Sequence, residues 1–172
     1  ILSRGMFPVL CISAKHNKGI DNLMEFIASE APSITDMPAP KNSKGNIVKA
    51  DPSGPASLFI FKSSIEEHIG EINYFRIYSG KATENLDVVN TNNGTKERLS
   101  QIYVCAGKNR TRVTELSVGG IGAVVKMKNT RMDHTLNSAG NDWRYEGMIF
   151  PEPKFRTAIK AQSESDDEKL GE

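Results

Sequence analysis

The stretch that decides the fold of this chain is Gly70-Glu71-Ile72-Asn73-Tyr74-Phe75-Arg76-Ile77-Tyr78-Ser79-Gly80. β-Branched and aromatic side chains dominate its centre, from Ile72 to Tyr78, and such residues favour a β-strand. Glycine stands at each end, where a sharp turn often requires a positive φ angle. The stretch therefore predicts one strand between two tight turns.

Segments of the same character lie before and after this stretch. They cover residues 58–61, 86–89, 99–105, 113–118 and 121–127. The pair Asn93-Gly94 is expected to supply the positive φ angles of a tight hairpin. No segment with a helical period interrupts residues 57–150. Successive strands joined by turns, without crossover helices, favour a mainly β domain that forms a closed antiparallel β-barrel.

Residues 1–31 have a different pattern. The apolar run from Val9 to Ile12 predicts a short strand buried on both faces. Apolar residues then recur at helical spacing from Ile20 onward, and Pro32 closes this run. A strand, a loop and a helix in this order predict a partial α/β segment at the N-terminus.

The loop between these two elements is Ser13-Ala14-Lys15. Small residues at such a strand end allow a backbone N–H group to approach the O6 atom of guanine, so we predict that these three residues contact guanine. The chain has no Gly-x-x-x-x-Gly-Lys-[Ser/Thr] loop for phosphates and no Asn-Lys-x-Asp motif for the guanine edge. The chain alone is therefore expected to bind no GTP and to contain no catalytic residues.

Two proline-rich segments mark the remaining boundaries. Residues 32–56 contain five prolines among polar residues, a composition typical of an interdomain linker. Phe150-Pro151-Glu152-Pro153 forces a second extended connection. Beyond it, residues 155–160 alternate as a strand would, and residues 165–168 have the spacing of a helix capping box. The predicted units are a partial α/β segment at 1–31, a linker at 32–56, a barrel at 57–150 and the start of an α+β domain at 151–172.

The composition excludes several classes of function. The formal net charge is only +1, so no global charge favours nucleic acid or membranes. Cys11 and Cys105 lie in separate segments without a pairing pattern, which favours a reducing, cytoplasmic location. The three histidines stand apart from each other, so no metal site is predicted. No apolar stretch reaches about 18 residues, so no membrane partner is expected. We expect a monomer.

Positive charge is concentrated in residues 96–112, which carry five basic residues against a single glutamate. Residues 107–111 are predicted to form a loop between strands. From this loop Lys108, Arg110 and Arg112 are expected to point outward together and contact RNA phosphates. The alternative is a solvated rim of the barrel with no partner.

Three motifs together resemble elongation factor G. They are the stretch 70–80, Phe150-Pro151-Glu152-Pro153 and Glu168-Lys169-Leu170-Gly171. In that family a GTPase domain ends near a Ser-Ala-Lys-like loop, a β-barrel second domain follows, and a Phe-Pro-Glu-Pro link opens the third domain. The resemblance implies that residues 1–31 end a GTPase domain and that residues 57–150 are a barrel of the translation-factor domain II type.

The resemblance also implies a function, that of a fragment of a ribosomal translocase GTPase. The full-length parent would bind GTP with Mg²⁺ and hydrolyse it to GDP with residues upstream of Ile1, whereas the fragment itself would bind no cofactor and be inactive. The barrel would dock on small-subunit rRNA of the ribosome and couple the nucleotide state to the later domains. An arginine of the family matches Arg110, while Lys108 and Arg112 are assigned from their charge alone.

Departures from the family pattern favour a divergent paralogue. Where the family usually has Asp-Pro, Asp and Gly-Asp, this chain has Glu66-Glu67, Gly120 and Asp133-His134, respectively. It also has the acidic residues Glu164 and Asp167 at two positions that are usually basic or amide residues in the family. Two other functions stay open. One is a tetracycline-resistance-type ribosomal protection protein with the same domain order. The other is a non-enzymatic barrel that binds single-stranded nucleic acid through Lys108, Arg110, Arg112 and exposed tyrosines.

Overall fold

The computed structural model describes residues 5–66, 69–107 and 109–161. Within them the chain forms one α-helix, α1 (Ile20–Glu30), and ten β-strands. The strands are β1 (Ser57–Glu66), β2 (Gly70–Ser79), β3 (Lys81–Thr83), β4 (Leu86–Asn90), β5 (Lys96–Leu99), β6 (Ile102–Ala106), β7 (Asn109–Val113), β8 (Glu115–Ser117), β9 (Ile121–Val125) and β10 (Thr135–Asn137). The described chain is therefore mainly β, as its sequence predicts.

Eight strands form one antiparallel sheet in the order β5-β4-β10-β1-β2-β9-β6-β7, and β3 pairs with β8 in a separate ribbon. The long strands β1 and β2 pair from Ser57 opposite Ser79 to Glu66 opposite Gly70. Their register shifts twice along the way, and such irregularities bend a sheet. The curled sheet confirms the predicted antiparallel barrel architecture.

The two edges of the eight-stranded sheet do not pair directly with each other in the described residues, so the predicted barrel is not one continuous ladder. β5 and β7 are the two edges of the sheet. The chain after β7 continues into β8, which pairs with β3, and the Glu84 N–H group donates to the Thr114 carbonyl at 3.0 Å. The Glu84 carboxylate, between β3 and β4, reaches Arg112 on β7. Backbone hydrogen bonds of the β3–β8 ribbon and this ion pair thus bridge the part of the barrel where a continuous ladder was expected.

Two predicted strands are each divided. Ser100 and Gln101 separate β5 from β6 within the predicted strand 99–105, and Thr114 separates β7 from β8 within 113–118. The predicted loop at 107–111 is also wrong, because most of it belongs to β7. Its backbone pairs with β6, and among the described residues of the predicted loop only Gly107 is a turn.

The hairpin between β4 and β5 differs in detail from its prediction. Gly94 has a φ of 75°, but Asn93 has no positive φ. Instead the Asn93 side chain accepts a hydrogen bond from the Thr95 N–H group at 3.1 Å. An asparagine side chain can thus organise a longer loop without adopting the left-handed backbone that a two-residue turn requires.

The main core lies inside the curled sheet. Phe75 and Ile77 of β2 are fully buried there, while the alternate residues Tyr74 and Tyr78 lie on the opposite face, as the period of a strand requires. The other large, fully buried apolar side chains of this core are Leu58, Ile60, Leu99, Ile102, Val124 and Leu136. Each such burial contributes about 1.5–3 kcal/mol relative to an exposed side chain.

Buried polar side chains hold the short strand β10. Ser57 donates a hydrogen bond to Oδ1 of Asn137 at 2.6 Å, and Nδ2 of Asn137 donates to the Trp143 carbonyl at 2.7 Å. The N–H group of Tyr145 donates to Oγ1 of Thr135 at 3.0 Å. These bonds satisfy groups that would be costly to bury unpaired. They also tie the chain after β10 to the barrel.

Part of the segment predicted as a linker, 32–56, packs on the barrel. Val48 is buried against Phe59 and Tyr145, and Asn42 forms an isolated antiparallel bridge with Tyr145. The backbone near Pro40 is fixed by a hydrogen bond from the Val48 N–H group to its carbonyl at 2.8 Å. The proline-rich composition therefore does not leave this segment free, because a few apolar contacts and backbone bonds anchor it.

The two ends of the described chain differ from their predictions. The helix α1 forms, but none of its residues is buried. Residues 9–12 form no strand, and Val9 is 91% exposed. Residues 155–160 form no strand either, and Phe155 is 82% exposed. Both runs lack a neighbouring described strand to pair with, which a buried strand requires. The predicted capping box at 165–168 lies outside the described residues. No helix within the described ranges is long and apolar enough to cross a membrane.

A histidine close to β10 accepts two hydrogen bonds through one nitrogen. Nδ1 of His134 accepts from Nδ2 of Asn90 at 2.9 Å and from the Arg131 N–H group at 3.1 Å. Nδ1 must therefore be unprotonated. Burial lowers the pKa of His134, and the nearby charges of Asp133, Arg131 and Glu97 modify that effect. The fold thus favours the neutral imidazole.

We expect the melting temperature to fall as the pH decreases through about 6.5, the usual pKa of an unfolded histidine. Below that pH the histidine of the unfolded chain binds a proton, whereas His134 in the folded chain, with its lower pKa, stays neutral. The stability that neutral His134 contributes at higher pH is therefore lost as the pH falls toward the pKa of the folded state. Asparagine does not titrate, so the melting temperature of the His134→Asn variant should fall less between pH 7.5 and pH 5.5. The exposed His16→Asn serves as the control. If His134→Asn and the unmodified chain have superimposable pH profiles, His134 does not carry this dependence.

Candidate nucleic-acid interface

The β6–β7 hairpin places two of the predicted RNA-contacting residues on one face. In its register Tyr103 lies opposite Arg112 and Cys105 lies opposite Arg110. Paired residues of antiparallel strands share a face, and Arg110 and Arg112 are two positions apart, so both arginines project on the same side. We call this side, with Arg110 and Arg112, the arginine face. Lys108 lies outside the described residues.

Arg112 is held by a glutamate from another part of the chain. Its Nε and Nη2 atoms donate to the two carboxylate oxygens of Glu84 at 2.5 and 3.0 Å. The Glu84 side chain is 15% exposed and that of Arg112 is 56% exposed. Hydrogen bonding to Arg112 lowers the pKa of Glu84, and a hydrogen bond from the Ile102 backbone adds to this effect. The pair therefore stays ionised and fixes the direction of the guanidinium.

Arg110 forms a second ion pair, with Glu66 at the end of β1. The side chains are 22% exposed for Arg110 and 35% exposed for Glu66. The hydrogen bond to Glu66 raises the pKa of Arg110, and Cys105 and Tyr74 lie close enough to add to this effect. Both arginines that the sequence singled out are thus engaged inside the chain.

These pairs reduce the positive charge that the sequence indicated. Arg98 in the same segment also pairs, through Nε and Nη2, with Asp87 at 2.7 and 3.0 Å. The five basic residues of 96–112 exceed the one glutamate of that segment by four. Adding Glu66, Glu84 and Asp87 reduces this excess to one. A count along the sequence missed these acids because folding brings them from distant positions.

The tyrosines beside the arginine face are partly buried against apolar side chains. Tyr74 and Tyr103 contact an apolar cluster of Ile72, Ala123 and Val125. The hydroxyl of Tyr103 donates to Oε1 of Gln101 at 2.6 Å. Such contacts account for the tyrosines without a bound base, which favours the packing interpretation over a stacking platform.

The predicted guanine loop forms a tight turn before α1. The backbone groups of Ser13 and Lys18 exchange two hydrogen bonds of 3.0 Å. Ala14 and Lys15 are exposed within this turn, and Gly19 at its end has a φ of 69°. Guanine contact by Ser13, Ala14 and Lys15 stays a prediction. Within the described ranges, no group of three His, Cys, Asp or Glu side chains is placed to hold a metal ion.

Comparison with known proteins relates the barrel to one family. The sequence pattern of elongation factor G domain 2 matches residues 55–139. A crystal structure of a Thermus thermophilus protein is similar in fold, with a TM-score of 0.67 and 23% sequence identity over 89% of this chain. The chain spans 21% of the length of that protein. The barrel at residues 55–139 therefore belongs to the elongation factor G domain 2 family.

Proposed function

We propose that this chain is part of a cytoplasmic, ribosome-binding translational GTPase of the elongation factor G type. In this proposal the barrel docks on small-subunit rRNA and couples the nucleotide state of a GTPase domain to later domains. The match of residues 55–139 to elongation factor G domain 2 is the observation that carries the proposal. A divergent paralogue with a specialised role fits the departures from the family pattern.

The arginine face supplies a docking chemistry. Arginine binds phosphate oxygens through several N–H donors at once. Arg112 is oriented by Glu84 through Nε and Nη2, which leaves its Nη1 atom for a partner. Arg110 lies two residues away on the same strand. We therefore propose that the two arginines, together with Lys108, contact consecutive phosphates of rRNA.

The nucleotide function belongs to the full-length parent. GTP with Mg²⁺ would be held there by a phosphate loop that this chain lacks. Ser13, Ala14 and Lys15 would contribute only a contact to the guanine. The chain alone should release no phosphate from GTP above a heat-treated control, and hydrolysis by the chain would contradict this assignment.

Replacing both arginines should weaken binding to isolated small ribosomal subunits. For the Arg110→Gln/Arg112→Gln variant we expect about a tenfold loss of affinity, because two phosphate contacts disappear. The slope of log K against log[salt] should decrease in magnitude by up to about 1.4–1.8, since each full phosphate contact contributes about 0.7–0.9. Fluorescence anisotropy of the labelled chain, titrated with subunits at several salt concentrations, measures both quantities.

Arg98→Gln is the matched control. Arg98 pairs with Asp87 in the same two-atom geometry as Arg112 with Glu84, but it lies on β5, the other edge of the sheet. Its replacement should leave the affinity and the salt slope unchanged. Equal losses for both variants would contradict docking through the arginine face. Equally tight binding to an arbitrary single-stranded RNA would favour the nucleic-acid-binding barrel instead.

A further inference from the structure

The pair between Arg110 and Glu66 is less exposed than the other arginine pairs of the barrel. The Arg110 side chain is 22% exposed, whereas Arg98 and Arg112 are 60% and 56% exposed in their pairs. Partial burial reduces screening by water and salt. Arg110 is therefore held by its carboxylate partner more firmly than a surface arginine would be.

The two arginines of the arginine face also differ in the guanidinium nitrogens that bind their glutamate partners. Glu84 binds Nε and Nη2 of Arg112, so Nη1 of this exposed side chain can meet a phosphate without any loss of the pair. At Arg110 the Nη2 atom donates to Oε2 of Glu66, and the side chain lies near Tyr74 and Cys105. Because only 22% of the Arg110 side chain is exposed, we expect a phosphate to reach its guanidinium by taking the place of the Glu66 carboxylate.

We propose that Glu66 is an internal competitor of phosphate for Arg110 and so limits how tightly the arginine face binds RNA. This inference rests on the proposed contact between Arg110 and rRNA. Carboxylate and phosphate oxygens accept hydrogen bonds from the same guanidinium donors. RNA binding then exchanges one anion for another at Arg110. Such an exchange releases fewer counterions than contact with an unpaired arginine.

Removing the competing charge should strengthen binding. For Glu66→Gln we expect the affinity for small ribosomal subunits to rise about twofold to fivefold, the range that a modest ion pair contributes. The salt dependence should become steeper by up to about one unit of slope. Glutamine keeps the length of the side chain and an oxygen acceptor, which helps to preserve the fold. A thermal melt of each variant verifies that it is folded.

Two further variants separate competition from a general change in charge. Glu115→Gln removes one negative charge close to β7 from an exposed pair with Lys81, and it should raise the affinity by less than twofold because water and salt screen this exposed charge. In a chain that already carries Arg110→Gln, the additional Glu66→Gln substitution should not raise the affinity for small ribosomal subunits. If Glu66→Gln does not fold, Glu66→Asp tests the same point, since a shorter carboxylate loosens the pair and should give an intermediate gain.

The outcomes distinguish this inference from the proposed function. If Arg110→Gln alone leaves the affinity unchanged, the rRNA contact of Arg110 is wrong, and the competition fails with it. If Arg110→Gln weakens binding but Glu66→Gln gives no gain, docking through Arg110 stands and the competition is wrong. A gain from Glu66→Gln that persists without Arg110, or that Glu115→Gln equals, also overturns the competition, because it is then a through-space charge effect.

Discussion

Phe75→Ala is expected to lower the free energy of unfolding of the chain by about 3–5 kcal/mol, the usual cost of such a truncation in a packed core. Phe75 is fully buried and belongs to the main core of the barrel. Its ring lies over Gly122 on the neighbouring strand, where a Cβ atom would come within 2.7 Å of it. The Leu116 side chain packs at the same position, with its Cδ1 atom 2.6 Å from that Cβ position. Alanine would leave a cavity there.

The measurement is urea unfolding followed by fluorescence. The chain has a single tryptophan, and Trp143 packs against the cluster of Phe59 and Tyr145, so its emission reports the loss of the barrel fold. Phe155→Ala is the matched control because Phe155 is 82% exposed, and its effect should stay below about 0.5 kcal/mol. Folded domains are stable by only about 5–15 kcal/mol, so the expected loss is a large and measurable part of the total. A loss for Phe75→Ala as small as that of the control would disprove the assignment of Phe75 to the core.

The core and the strand type were predictable because they depend on local patterns. Alternation in the stretch 70–80 indicates a strand, and the glycines at its ends indicate turns. The helix α1 was predictable for the same reason. By contrast, β10 has only three residues, and two of them, Thr135 and Asn137, are polar and buried. Its place depends on hydrogen bonds to Ser57 and Tyr145, which no periodicity in the sequence indicates.

The candidate site was predictable only in part, again for a physical reason. The sequence predicted that Arg110 and Arg112 point outward together from a loop, whereas they lie on one face because they alternate along β7. Their partners, Glu66 and Glu84, lie 44 and 28 positions away in sequence. Only the register of the folded sheet brings these carboxylates to the arginines. A segment that is strongly basic in sequence can thus become a nearly neutral surface.

Gly80→Ala should be the most damaging small substitution outside the core. Gly80 closes β2 with a φ of 65°, which an alanine adopts only at a cost. In addition, a Cβ atom at position 80 would lie 2.5 Å from the carbonyl oxygen of Gly54 and 2.7 Å from the backbone nitrogen of Ala56. These obstacles are backbone atoms, which cannot rotate away as a side chain would. We expect a loss of about 2–4 kcal/mol in the free energy of unfolding.

Gly94→Ala separates the two causes of this loss. Gly94 has a similar φ of 75°, but nothing lies within 4 Å of a Cβ atom placed there. Its replacement should therefore cost only about 1 kcal/mol, from the strained backbone alone. The larger effect at Gly80 then measures the close approach of the segment 54–56 to the end of β2. That approach places the segment next to the barrel, so equal costs for the two variants would contradict its packing there.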